Sequence, residues 1–125
     1  MDFDRAKATV DDFNDSINSR DIERLSRLMS DDHIFIDMTD NRVVGKPACM
    51  AAWRGFFAAF PDYRNHFEAV TGSAELLVVT GRSTCSDSRL QGPALWTARV
   101  RDDVVVEWRV IEDTPSNRAR LGVVR

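Results

Sequence analysis

The sequence predicts an α+β domain, a curved and mostly antiparallel sheet with three helices covering one face. Three observations predict it. Apolar residues recur at helical spacing over the first thirty positions, β-branched and aromatic runs separated by short turns fill the second half, and one further helical stripe rich in aromatics lies between them. At 125 residues there is room for a single domain with a real core.

The first helix rests on Phe3, Ala6, Val10, Phe13 and Ile17, spaced by three and four, with Asp4, Asp11, Asp12 and Asp15 turned to solvent. Asn18-Ser19-Arg20-Asp21 breaks it, and Asp21 caps a second, short helix carrying Ile22, Leu25, Leu28 and Met29. After Ser30-Asp31-Asp32 the run His33–Met38 predicts the first strand, Thr39-Asp40-Asn41 a turn, and Arg42-Val43-Val44 a short returning strand. Gly45-Lys46-Pro47 opens the third helix, whose stripe is Cys49/Met50, Trp53, Phe56/Phe57 and Phe60, and Pro61 stops it. Four strands follow at Tyr63–Val70, Leu76–Cys85, Ala94–Arg101 and Val104–Ile111, each joined by a short turn and so antiparallel to the next. The domain is expected over residues 1–113. The segment 114–125, with Arg118, Arg120 and Arg125, reads either as a free tail or as one docked on the acidic body.

Composition narrows the function. The 17 Lys+Arg and 20 Asp+Glu leave a net charge of −3, which argues against a nucleic-acid partner. Cys49 and Cys85 lack the spacing of a zinc site or a disulfide framework, so no metal is expected. Acidic residues at Met1-Asp2-Phe3-Asp4-Arg5 do not make a signal peptide, no apolar run reaches membrane-spanning length, and a cytoplasmic protein with no membrane partner is the expectation. No phosphate loop or dinucleotide fingerprint occurs, so no cofactor is implied.

Asp37 is the sharpest chemical candidate. A carboxylate among Ile34, Phe35, Ile36 and Met38 demands a reason, since an unpaired buried charge costs several kcal/mol or more. Two reasons stand side by side: a base facing a cavity, or a strand-end aspartate capping the Thr39-Asp40-Asn41 turn. Glu107, Arg109, Ile111 and Asp113 share one strand parity, so Arg109 is either ion-paired or, with Arg82, an anchor for an anionic oxygen in a cavity. The alternate row Val104, Val106, Trp108 and Val110 is the candidate dimer face. His33, at the start of its strand, is expected at the cavity mouth or on the surface, and His66 on an exposed strand face, each with a lesser prospect of partnering Asp37. Phe13, Ile17, Phe35, Trp53, Phe57, Phe60, Phe67 and Trp96 are ordinary core residues one by one. Together they supply the wall of a pocket for an apolar, ring-containing or acyl ligand.

From Val10 to Asp113 the chain resembles the NTF2-like superfamily, and within it the SnoaL-like and ketosteroid-isomerase-like proteins. The resemblance rests on Asn18-Ser19-Arg20-Asp21-Ile22 running into Ser30-Asp31-Asp32, on Val44-Gly45-Lys46-Pro47, on Ala59-Phe60-Pro61-Asp62 and on the closing Val106–Asp113. It implies a cone-shaped α+β barrel, usually a homodimer through the outer sheet face, and it sets Asp37 where ketosteroid isomerases carry their aspartate base. The chain departs from those enzymes at Phe13, in place of a tyrosine donor, and at Trp96, in place of a second aspartate. It departs from SnoaL-like cyclases at Arg109, which follows Trp108 where those proteins have an acid–base aspartate; a guanidinium stays protonated and is no base. Two functions follow as expectations: an apolar-ligand-binding protein with cofactor-free acid–base catalysis by Asp37, or a non-catalytic binding or dimeric assembly module.

Overall fold

Asp2 caps the first helix, α1 (Phe3–Ser19), by accepting from the Arg5 backbone N–H at 2.8 Å. Arg20, in the left-handed region at φ 57°, ends it and lets the Asp21 N–H bond back to the Ser16 carbonyl at 3.0 Å. Asp21 then caps α2 (Ile22–Arg27) through the Arg24 N–H at 3.1 Å. The computed structural model describes residues 2–123, and the remaining elements are β1 (Met29–Ile36), β2 (Arg42–Val44), α3 (Lys46–Ala59), β3 (Arg64–Gly72), β4 (Leu77–Thr84), β5 (Gly92–Arg101), β6 (Val104–Glu112) and α4 (Pro115–Arg120). A single 3-10 turn, Ser88–Leu90, interrupts the β4–β5 connection.

The six strands form one sheet in the order β2-β1-β6-β5-β4-β3, antiparallel throughout except for the parallel pair β1–β6. That closure brings the first and last strands together, and α1, α2 and α3 lie over the inner face. The fully buried stripe Ala6, Val10, Phe13 and Ile17 of α1 packs into one cluster with Leu77, Val79, Trp96, Ala98 and Trp108 of the sheet. Phe13 lies 4.8 Å from the Trp108 ring and 5.7 Å from His33. Removing such a side chain from water is worth roughly 1.5–3 kcal/mol.

Three bulges break the simple alternation, between Met29 and Ile34, between Phe67 and Ala69, and between Arg99 and Val100. Each correction to the expected strands follows from one of them or from a turn. β1 begins at Met29, not His33, because Met29 already pairs with Val105 of β6, the Val105 N–H bonding the Leu28 carbonyl at 2.7 Å. β1 also stops at Ile36, so Asp37 and Met38 belong to the turn. His33 is not at a mouth or on the surface: it is fully buried, with Nδ1 2.6 Å from the Val105 carbonyl. On β6 the extra residue at Val106 resets the parity, so Val105 and Trp108 are fully buried in the core and Val110 packs against it. The row Val104, Val106, Trp108 and Val110 is therefore not an outer dimer face. Residues 115–120 form α4, capped by Thr114 and held by a bidentate Arg118–Asp113 pair at 2.5 and 2.8 Å. Arg125 lies outside the described residues.

Candidate functional site

Between α3 and the sheet lies a cavity of about 640 Å³. Phe35 of β1, Trp53 and Phe56 of α3, and Trp96, Trp108 and Val110 of β5 and β6 supply its apolar wall. The aromatics brace one another edge to face, Phe35 to Trp53 at 5.7 Å, Trp53 to Phe56 at 5.8 Å and Phe56 to Tyr63 at 4.8 Å. The rim joins Asp37, Met38 and Thr39 on one side to Arg89, Leu90, Gln91 and Glu112 on the other. Met38 is 51% exposed there, an apolar lip. Arg89 is bound to Asp87 at 2.6 Å, and its hydrogen bonds, backbone included, hold the Asp87 carboxyl down at about 2.

Of the residues expected to form a site, Asp37, Phe35, Trp53 and Trp96 line this cavity. Phe13, Ile17 and Phe57 are buried in the core away from it, and Phe60 and Phe67 pack half-buried against that core. Neither arginine reaches it. Arg82 is exposed on β4, and Arg109 is turned outward by the β6 parity, donating to Asp40 Oδ1 at 2.7 Å, so the two do not form an anion anchor beside Asp37. His66 is exposed and bonded to Thr84 Oγ1 at 3.0 Å.

Asp37 caps the turn and also lines the cavity. Its Oδ1 accepts from the Thr39 N–H at 2.8 Å, the Thr39 hydroxyl at 2.7 Å and the Asn41 N–H at 3.0 Å, closing the turn. Its Oδ2 makes no hydrogen bond among the described residues, and the residue stands in the cavity wall. Partial burial pushes the carboxyl up, but the hydrogen bonds from Thr39 and Asn41 outweigh it and leave the group below the ordinary carboxylate range. Such a group is ionised at neutral pH and is a weak base.

Three polar wall residues escaped the sequence reading. Tyr63, just before β3, Asn65 of β3 and Ser83 of β4 are each 9% exposed or less, and they form a chain: Tyr63 Oη lies 3.1 Å from Ser83 Oγ, and the Ser83 hydroxyl donates to Asn65 Oδ1 at 2.8 Å. Burial pushes the Tyr63 phenol up, so it stays protonated. The signal was present in strand parity: Tyr63, Asn65 and Phe67 share the inner face, while Arg64, His66 and Glu68 are exposed. A buried Asn on the inner face of a strand asks for a partner, and Ser83 is opposite it in the register. Cys49, also in the wall, donates to the Val43 carbonyl at 3.3 Å, and burial raises its thiol, which makes it a poor nucleophile. No cluster of three or more His, Cys, Asp or Glu able to hold a metal occurs among the described residues, and no described helix is long and apolar enough to cross a membrane.

Solved structures share this architecture. An LEH-like epoxide hydrolase of M. tuberculosis superposes with a TM-score of 0.77 at 14% identity, covering 87% of this chain and 83% of its own. IdmH of Streptomyces antibioticus, a candidate polyketide cyclase, gives 0.71 at 21% identity over 94% and 99% of the two chains. A candidate ketosteroid isomerase from Kribbella flavida gives 0.74 at 18% identity over 98% and 90%. At these identities the likeness establishes the fold, an NTF2-like α+β cone, and no activity. No curated protein matches the chain. The sequence profile of the SnoaL-like domain does match, over residues 10–118, which takes in the second half of α1, all of α2, the whole sheet and every residue of the cavity wall; the chain belongs to the SnoaL-like domain family.

Proposed function

We propose that this protein binds a small, largely apolar, ring-containing or acyl molecule in the cavity between α3 and the sheet. One observation carries the reading: a space of about 640 Å³ stays open within an otherwise close-packed domain, walled by aromatics and carrying only a few polar groups. The assembly reading loses its surface, because Trp108 and Val110 face inward. A thermal-shift screen against aromatic polyketide-like, steroid and terpenoid compounds tests binding. A ligand at one hundred times its Kd stabilises the fold by about 2.7 kcal/mol. A panel in which every class leaves the melting point unmoved defeats the proposal.

A second reading adds catalysis, and the free Oδ2 of Asp37 in the wall supports it. There the carboxylate takes a proton from a carbon beside a carbonyl, the ligand's own chemistry supplying the acidity, without a cofactor. The lowered carboxyl works against this, since the best base has a pKa near the operating pH. Turnover of a stabilising compound that persists in Asp37→Asn removes Asp37 from any reaction.

A further inference from the structure

The polar wall of the cavity has a direction. Ser83 owns one hydroxyl hydrogen and spends it on Asn65 Oδ1 at 2.8 Å, so the contact of 3.1 Å with Tyr63 is made by the phenol donating to Ser83 Oγ. Every hydrogen in the chain thus points toward Asn65, whose Oδ1 is occupied. Its Nδ2 carries two hydrogens; the Asn65 side chain also bonds the Tyr63 phenol, which accounts for one of them, and the second is left for the cavity, whose wall Asn65 joins at 2% exposure. The backbone at Asn65 is locked from the α1 side: its N–H donates to Asn18 Oδ1 at 2.8 Å and its carbonyl accepts from Asn18 Nδ2 at 2.9 Å. Asn18 satisfies both backbone groups at this position, and the amide is held where it is. A second wall residue, Trp96, is fully buried with its indole N–H unpartnered. The Asn65 amide is therefore the spare donor of the buried wall, the Trp96 N–H having no accessible surface, while the carboxylates, Asp37 and Glu112, stand at the rim.

We propose that Asn65 is the specificity-determining residue of the cavity, its side-chain amide donating to a carbonyl-type oxygen of the ligand while the Tyr63–Ser83 chain orients and polarises it. This rests on the reading of the cavity as a ligand site and names the class it takes: a ring-bearing ketone or related acceptor, preferred over a hydrocarbon or an alcohol of the same shape. A donor buried without a partner costs free energy that a ligand acceptor returns, and a ligand without one does not. Hydrogen bonds in series strengthen one another, so the amide donates better with Tyr63 and Ser83 in place.

The test uses three molecules of one shape, 2-acetylnaphthalene, 1-(2-naphthyl)ethanol and 2-ethylnaphthalene, with dissociation constants from calorimetry on the full chain. The expected result is that the ketone binds at least tenfold tighter than the ethyl compound and several-fold tighter than the alcohol. Asn65→Leu is expected to bring the ketone-to-ethyl ratio close to one. Tyr63→Phe, which keeps the shape of the wall, is expected to reduce that ratio a few-fold, and it serves alone where Asn65→Leu does not fold. Ketone and ethyl compound binding equally well to the native chain overturns the inference and leaves the cavity reading standing. Preference for the alcohol also overturns it, by showing the Asn65 amide turned the other way with its oxygen facing the ligand. No binding of any of the three defeats the ligand site and the inference together.

Discussion

The Nδ1 of His33, on β1, lies 2.6 Å from the backbone carbonyl of Val105, on β6, so a fully buried imidazole bonds the two strands whose parallel pairing closes the sheet. The contact assigns the proton to Nδ1, and Nε2 has no partner. Burial lowers the folded pKa of this histidine; the Val105 carbonyl and Asp32 pull it up by less, and Lys46 adds to the lowering.

The sign of the pH effect follows. The unfolded chain takes up the proton near pH 6.5 and the folded chain only below that, so stability is complete above about 6.5 and is lost as the pH falls through the folded value. Urea melts from pH 7.5 to 5 are expected to fall by up to about 1.4 kcal/mol per pH unit at the acid end. His33→Asn, which keeps a donor near Val105 and removes the titration, is expected to flatten that slope; an unchanged slope assigns the effect elsewhere.

Asp37→Ala is expected to destabilise the β1–β2 turn by about 1–2 kcal/mol, because three donors from Thr39 and Asn41 lose their acceptor. Asp37→Asn, whose amide oxygen accepts the same bonds, is expected to cost less than half of that. The folded carboxyl is depressed, so its contribution is present above an unfolded value of about 3.9 and disappears as the pH falls below it. Thermal melts of both variants at pH 7 and pH 3 check the pair of expectations.

Arg109→Ala is expected to leave ligand affinity within twofold of the native protein, since the guanidinium is turned outward to Asp40. Its cost in stability is about 0–1 kcal/mol, the range for a half-exposed ion pair. Calorimetry with 2-acetylnaphthalene and a urea melt measure both; a tenfold loss of affinity restores Arg109 to the site.

Gly81→Ala is expected to be among the most damaging single-methyl changes in the sheet. Gly81 sits opposite the β3 bulge, where an added Cβ meets the His66 carbonyl oxygen at 2.1 Å and the Phe67 Cα at 3.1 Å. Backbone has to move, at more than about 2 kcal/mol. A denaturant midpoint within experimental error of the native one removes the bulge from this account.

Much of the architecture is written in local pattern. The stripe of α1, the cap Asp21, the proline-led start of α3 and the turn at Thr39-Asp40-Asn41 all depend on neighbours within a few residues, so their spacing carries the information. The aromatic wall at Trp53 was legible for the same reason.

Local pattern set α1 to α3, the six strands and the apolar character of their inner faces, while α4 formed in the segment that read as a tail. The tertiary structure alone decided which residues face the cavity, because a bulge moves strand parity by one and leaves no composition signal. The extra residue at Val106 carried Arg109 outward and Trp108 inward, and the end of β1 at Ile36 turned Asp37 into a turn cap as well as a wall residue. Tyr63, Asn65 and Ser83 became one polar chain only when β3 and β4 paired in register, a relation between residues eighteen to twenty positions apart that no local pattern contains.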